Sequence, residues 1–140
     1  MGDGGFKIPV GLVCVEEFTV KEEHVARHVG SGDFAVLSTP SMIAFMEETA
    51  MKCAQRFLPS EYTTVGSLVN IKHVNPAPLG ATIRVESKIA ISEGRKIVYE
   101  VRAYLGDILI GEGVHERFIV NREKFIEKAR RMAQTALSQQ

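Results

Sequence analysis

The chain has 140 residues, of which 45% are hydrophobic and 24% charged, and its 17 basic and 17 acidic side chains cancel to a formal net charge of zero. This length fits one domain, residues 1–140, with one sizeable core, and the composition is that of an ordinary soluble globular protein. It lacks the basic surplus that nucleic acid or an anionic membrane would demand of a partner.

The N-terminus, "MGDGGFKIPVGLV", has one lysine and no long apolar stretch. It does not read as a signal peptide, and its Gly-rich start over residues 1–9 is expected to be a flexible tail. No apolar run approaches the length needed to span a membrane. The two cysteines, Cys14 and Cys53, form no CxxC and no disulfide framework, which points to a reducing, cytoplasmic setting. Residues 11–20, "GLVCVEEFTV", predict a first strand, and residues 21–38 a helical turn followed by a loop.

Thr39-Pro40 opens a long helix, with Thr as N-cap and Pro at the first helical position. The run to about Leu58 holds no internal Gly or Pro and stops at Pro59. Beyond it the apolar period falls to two. In "VGSLVNIKHV", Val65, Val69, Ile71 and His73 share one face. "NPAPLG" interrupts, and "TIRVESKIAI" then sets Ile83, Val85, Ile89 and Ile91 on one side. "SEGRK" and "GD" read as tight turns around the strand "IVYEVRAYL", and "ILIGEGVHERFIV" as a long last strand. Asn121 caps a final helix over 122–137 with Phe125, Ala129, Met132 and Ala136 on one stripe.

Short connections imply antiparallel neighbours. The expected fold class is therefore α+β, a curled antiparallel sheet wrapped around one long helix, plus a C-terminal helix.

Within the long helix, two adjacent glutamates differ in direction. At roughly 100° per residue from Ile43, Glu47 falls near 40°, inside the apolar arc, and Glu48 near 140°, beside Lys52. A buried, unpaired carboxylate is costly or shifts its pKa upward. Two readings stand: Glu47 is a rim residue reaching water, or it is functional. His73 breaks pattern in the same way, closing an apolar face that should meet the helix. A core histidine is the ordinary explanation, but a carboxylate and an imidazole in one partly apolar site is also an acid/base arrangement. Thr39 adds a hydroxyl at a helix N-terminus, where free backbone N–H groups favour developing negative charge.

These residues, with "TPSMIAFMEETAM", "VGSLVNIKHVNPAPLG" and "GEGVHERFIVNREKF", resemble the hot-dog-fold thioesterases, specifically the fluoroacetyl-CoA thioesterase-like family, over nearly the whole chain. The resemblance implies a hot-dog fold, an acyl-CoA thioester as substrate, hydrolysis to free acid and CoA, and a homodimer or dimer of dimers. It also implies Thr39, Glu47 and His73 as catalytic residues, Gly66 as a backbone position near the thioester, and Arg117 as the arginine of the last strand. It does not imply fluoroacetyl-CoA itself; short acyl-CoAs in general fit. Phe34 and Met42, with Leu37, Phe45 and Met46, are candidates to line the acyl pocket. No cofactor is expected beyond the CoA of the substrate.

The remaining patterns point to structure. His24 and His28 have helical metal-ligand spacing but no third ligand beyond Glu22 or Glu23, so a polar surface turn is expected and no metal. Gly111 and Gly113 lie in a strand, where they permit close approach of another backbone or a ligand. The basic residues of the last helix alternate with Glu123 and Glu127 as on a solvated face. There is no GxSxG elbow, and Cys53 reads as packing. A non-catalytic acyl-CoA-binding or sensing domain is the alternative from another class. A hot-dog enoyl-CoA hydratase ranks lower, since the helix lacks an Asp and a His.

Overall fold

The computed structural model describes residues 5–139. Its elements are β1 (Val13–Thr19), a 3-10 turn (Glu22–His24), α1 (Ala26–Val29), α2 (Thr39–Gln55), β2 (Tyr62–His73), β3 (Thr82–Glu93), β4 (Lys96–Leu105), β5 (Ile108–Asn121) and α3 (Arg122–Ser138). The five strands form one sheet in the order β1-β3-β4-β5-β2, and all four pairings are antiparallel. The sheet packs its inner face on α2, as the α+β expectation required. Among the described residues, no helix is long and apolar enough to cross a membrane.

The core lies between α2 and the sheet. Met42, Phe45, Met46, Ala50, Cys53 and Ala54 on the helix meet Ile83, Val85, Ile89, Ile97, Tyr99 and Val101 on the strands. Each large apolar side chain so buried contributes about 1.5–3 kcal/mol. Ser38, not Thr39, is the N-cap of α2, and its side chain accepts from the Ser41 N–H at 3.1 Å. Thr39 is thus the first helical residue. The helix also stops at Gln55, three residues short of Leu58.

Among the described residues the sheet has three register shifts, and two of them, in β2 and β3, overturn the faces expected from simple alternation. The register of β2 against β5 shifts between Gly66 and Leu68. Val65 therefore pairs with the outward-facing Phe118, while Gly66, Val69, Ile71 and His73 share the inner face. A second shift, between Ile89 and Ile91, turns Ile91 outward, where it is exposed. A bulge adds one residue to one strand and so flips every later side chain to the other face.

Two further expectations are corrected. Cys14 on β1 and Cys53 on α2 form a disulfide, with their Cα atoms 5.8 Å apart. With both cysteines in this disulfide, cysteine usage gives no sign of a reducing environment. The flexible tail over residues 1–9 does not hold for its described part. Phe6 and Ile8 are buried, Phe6 meets Tyr62 edge-on with centroids 4.9 Å apart, and Arg95 lies over both rings. Residues 1–4 lie outside the described residues. The helix α3 starts as expected, with Asn121 accepting from Lys124 N–H, but buries no residue.

Candidate active site

The inner face of β2 and the N-terminal half of α2 carry the polar residues singled out above. At the start of α2, Thr39 Oγ1 lies 2.8 Å from His73 Nδ1. Thr39 is exposed and His73 half-buried. Burial pushes the His73 pKa below its ordinary value. The Asn75 backbone offsets this in part. The His73 Nε2 is buried and has no hydrogen-bond partner among the described residues. Beside it runs an open groove of about 240 Å³ lined by Val36, Leu37, Val74, Asn75 and Pro76.

The first turn of α2 offers fewer free donors than a generic helix start. Pro40 has no N–H. Ser41 N–H is capped by Ser38, and Met42 N–H donates to the Ser38 carbonyl at 3.0 Å. The Thr39 N–H remains as the uncommitted donor of this turn among the described residues, adjacent to the Thr39–His73 pair.

Glu47 lies two turns further on, about 12 Å along the axis at 1.5 Å per residue. Its buried neighbours on α2, Met42, Phe45, Met46, Thr49, Ala50, Cys53 and Ala54, centre near 280° on the Ile43 wheel. Glu47 is therefore at the rim of the core stripe and half-buried, while Glu48 is exposed and pairs with Lys52 at 2.9 Å. At the rim Glu47 does not face water alone. A side chain on Gly66 would place its Cβ 2.8 Å from Glu47 Oε2, 3.4 Å from His115 Cε1 and 3.5 Å from Arg117 Nη1. Gly66 thus leaves a small opening bounded by a carboxylate, an imidazole and a guanidinium.

Arg117 is buried and held by three hydrogen bonds. Nε donates to Thr64 Oγ1 at 2.7 Å, Nη2 to the Thr64 carbonyl at 2.9 Å, and Nη1 to His115 Nε2 at 3.1 Å. It makes no ion pair with Glu47 within 4.0 Å, although the two charges attract. His115 Nδ1 donates to the Leu68 carbonyl at 2.9 Å. Burial lowers the His115 pKa, and Arg117 adds to this. Tyr99 lies behind His115 with ring centroids 6.0 Å apart; its hydroxyl is buried without a partner among the described residues, and burial raises its pKa.

The comparisons with known proteins fit this arrangement. A family model described as "FlK: Fluoroacetyl-CoA-specific thioesterase" matches residues 20–123. The chain belongs to this family. The fluoroacetyl-CoA thioesterase of Streptantibioticus cattleyicolor is 30% identical over 127 residues, covering 86% of this chain and 91% of that protein. A solved structure of the fluoroacetyl-CoA thioesterase FlK superposes with a TM-score of 0.83 at 29% identity, over 89% of this chain and 97% of that one. A Thermus thermophilus protein described as a thioesterase superfamily member gives a TM-score of 0.86 at 29% identity, over 94% and 98%. These likenesses identify the sheet wrapped on α2 as a hot-dog fold.

Within one chain of this family member, Thr39 and His73 are in contact, and Glu47, Gly66 and Arg117 form a neighbouring group. Phe34 is 75% exposed, in the loop before α2. Met42 is fully buried and occupies the space that Gly111 leaves open, where a Cβ would come 2.5 Å from its sulfur. It supports the strand position paired with His73 and shows no surface to a ligand in this chain. Phe45 stacks on Phe18 in the core. Gly113 has no room for a Cβ against Asn70 and Ile71, so both glycines serve close approach, as their place in a strand suggested. His24 Nδ1 accepts from Lys21 N–H, and the described residues hold no metal-ligating cluster. Sequence reasoning missed His115 and Thr64. His115 stands two residues before Arg117 on one strand, so period-two alternation placed it on the same face.

Proposed function

We propose that the protein hydrolyses short acyl-CoA thioesters to the free acid and CoA, using Thr39, Glu47 and His73. The observation that carries this is the 2.8 Å contact between Thr39 and His73 at the start of the helix that bears Glu47, in a member of this thioesterase family. The thioester carbonyl carbon takes up an oxygen, the C–S bond breaks, and the CoA sulfur leaves as thiolate and is protonated. In this reading the uncommitted Thr39 N–H stabilises the negative charge that develops on the carbonyl oxygen. Glu47 lies about 12 Å along α2 from the Thr39–His73 pair of its own chain. The reading therefore takes Glu47 and that pair from different copies of a dimer. Glu47, with His73, then either draws the proton from the attacking water or attacks the carbonyl itself. Direct attack would form a mixed anhydride of Glu47 and the acyl group. Finding ¹⁸O from labelled water in Glu47 after one turnover would show that route, because water opening the anhydride at the Glu47 carbonyl leaves its oxygen there. Gly66 and Arg117 bind substrate beside Glu47, with Phe34 at the acyl end; Met42, wholly buried against Gly111, supports the strand beside His73 and leaves the substrate-binding set. No cofactor enters this chemistry.

We also propose a homodimer, or a dimer of dimers, formed along β2. That strand is at the sheet edge, and Leu68 and Val69 on it are 47% and 45% exposed. Val69 faces inward with Gly66 and His73, so a second copy would wall the strip on which the candidate residues lie. An acyl-CoA substrate suits a cytoplasmic protein. The function is tested by thiol release over a panel of acyl-CoAs of increasing chain length. The reading expects turnover that declines with length; no release from any member of the panel would overturn it.

A further inference from the structure

His115 has no assigned part in the reaction, yet its environment is unusually determinate. A backbone carbonyl can only accept, so Nδ1 must carry the proton donated to Leu68. A guanidinium can only donate, so Nε2 must offer its lone pair to Arg117 Nη1. Both partners therefore select one neutral tautomer. A charged imidazolium would set an N–H against an N–H at 3.1 Å. Burial, the largest effect, and Arg117 oppose that form, while the Leu68 carbonyl, and less strongly Glu47 from α2 and Glu116 from β5, favour it. Leu68 immediately follows the β2 bulge, so the ring ties the irregular part of the edge strand to the arginine.

Three of the five guanidinium N–H groups are used by Thr64 and His115. The second N–H on Nη1 is left at the opening beside Gly66 and Glu47. Thr64 alone fixes Nε and Nη2; His115 fixes the third corner, the one nearest the opening.

From this geometry we infer that His115 is a positioning residue, whose neutral imidazole holds Arg117 Nη1 at the edge of the substrate space beside Gly66. The inference rests on the thioesterase reading above. His115→Phe keeps an aromatic ring against Tyr99 and removes both hydrogen bonds. His115→Gln keeps one donor and one acceptor. The test measures kcat and KM on the acyl-CoA that the parent protein hydrolyses best, with melting curves and the NMR signal of the Arg117 Nη1 N–H groups, assigned by its loss in Arg117→Lys.

His115→Phe should fold and lose roughly ten- to a hundredfold in kcat/KM, the range for one hydrogen bond to a charged group, mostly through KM. Its Arg117 signal should shift or broaden. His115→Gln should recover most of both. A folded His115→Phe with parental KM and an unchanged Arg117 signal would overturn the inference. So would equal losses in Phe and Gln that follow the melting temperature, the mark of packing alone. Should Phe not be accommodated, His115→Leu carries the same comparison. A parent protein inactive on every acyl-CoA would sink the thioesterase reading instead, and the Arg117 signal would still decide whether His115 holds the guanidinium.

Discussion

His73 and His115 both sit on the inner face of the sheet, and both have pKa values lowered mainly by burial. Their folded pKa values lie below the ordinary 6.5. Between the two, the unfolded chain binds protons that the folded chain refuses, so stability falls as pH drops below about 6.5 and levels off once the folded pKa values are passed. Melting temperature followed from pH 7.5 to 5 should show this decline, and His115→Gln should reduce it. His73→Ala should fold and lose turnover by roughly the 10²–10⁴-fold of an acid/base group; full activity would remove His73 from the mechanism. Gly66→Ala would bring a methyl 2.8 Å from Glu47 Oε2. The carboxylate is the movable partner, so activity should fall while the melting temperature barely changes. At this scale the sequence showed His73 and Glu47 as polar residues on apolar arcs. His115 was legible only as a same-face neighbour of Arg117, two residues on; its role was hidden until its partners Leu68 and Arg117 were placed by the fold.

Among the elements, α2 was legible from its flanking prolines and uninterrupted run, and β4 and β5 from their turns. The faces of β2 and β3 were legible only in part. Each holds one bulge, at Ser67 and at Ala90, and nothing in the side-chain alternation marks an extra residue. Val65 and Ile91 were assigned to the wrong face for this reason. The N-terminal segment was misread because its glycines drew attention from Phe6 and Ile8. The cystine was missed because two cysteines 39 residues apart carry no spacing signal. It joins the edge strand β1 to the helix that bears the candidate catalytic residues. Replacing both Cys14 and Cys53 by Ser should cost stability of about 2–4 kcal/mol, the usual range for closing a loop of this size. Denaturant melts of the oxidised protein and the double variant would check it, and coincident curves would show that the link contributes nothing. Activity on acyl-CoA should survive, since neither sulfur lies among the groups proposed to act.

For the whole molecule, an open edge at β2 with exposed Leu68 and Val69 is a surface that natural sheets cover. A dimer mass by light scattering at micromolar concentration is expected, and Val69→Lys should shift it toward the monomer. A monomeric mass for the parent chain would remove the dimer from the account. The central claim, thioester hydrolysis through a carboxylate on the rim of α2, is tested most directly by the adjacent glutamates. Glu47→Gln keeps size and hydrogen-bonding capacity but removes charge and basicity. Glu48→Gln makes the same change on the solvent face, where only the exposed contact with Lys52 is lost. Thiol release from a short acyl-CoA, measured with melting curves for both variants, should collapse in Glu47→Gln at unchanged or higher stability and stay at the parental rate in Glu48→Gln. Equal activity in the two folded variants would contradict the account.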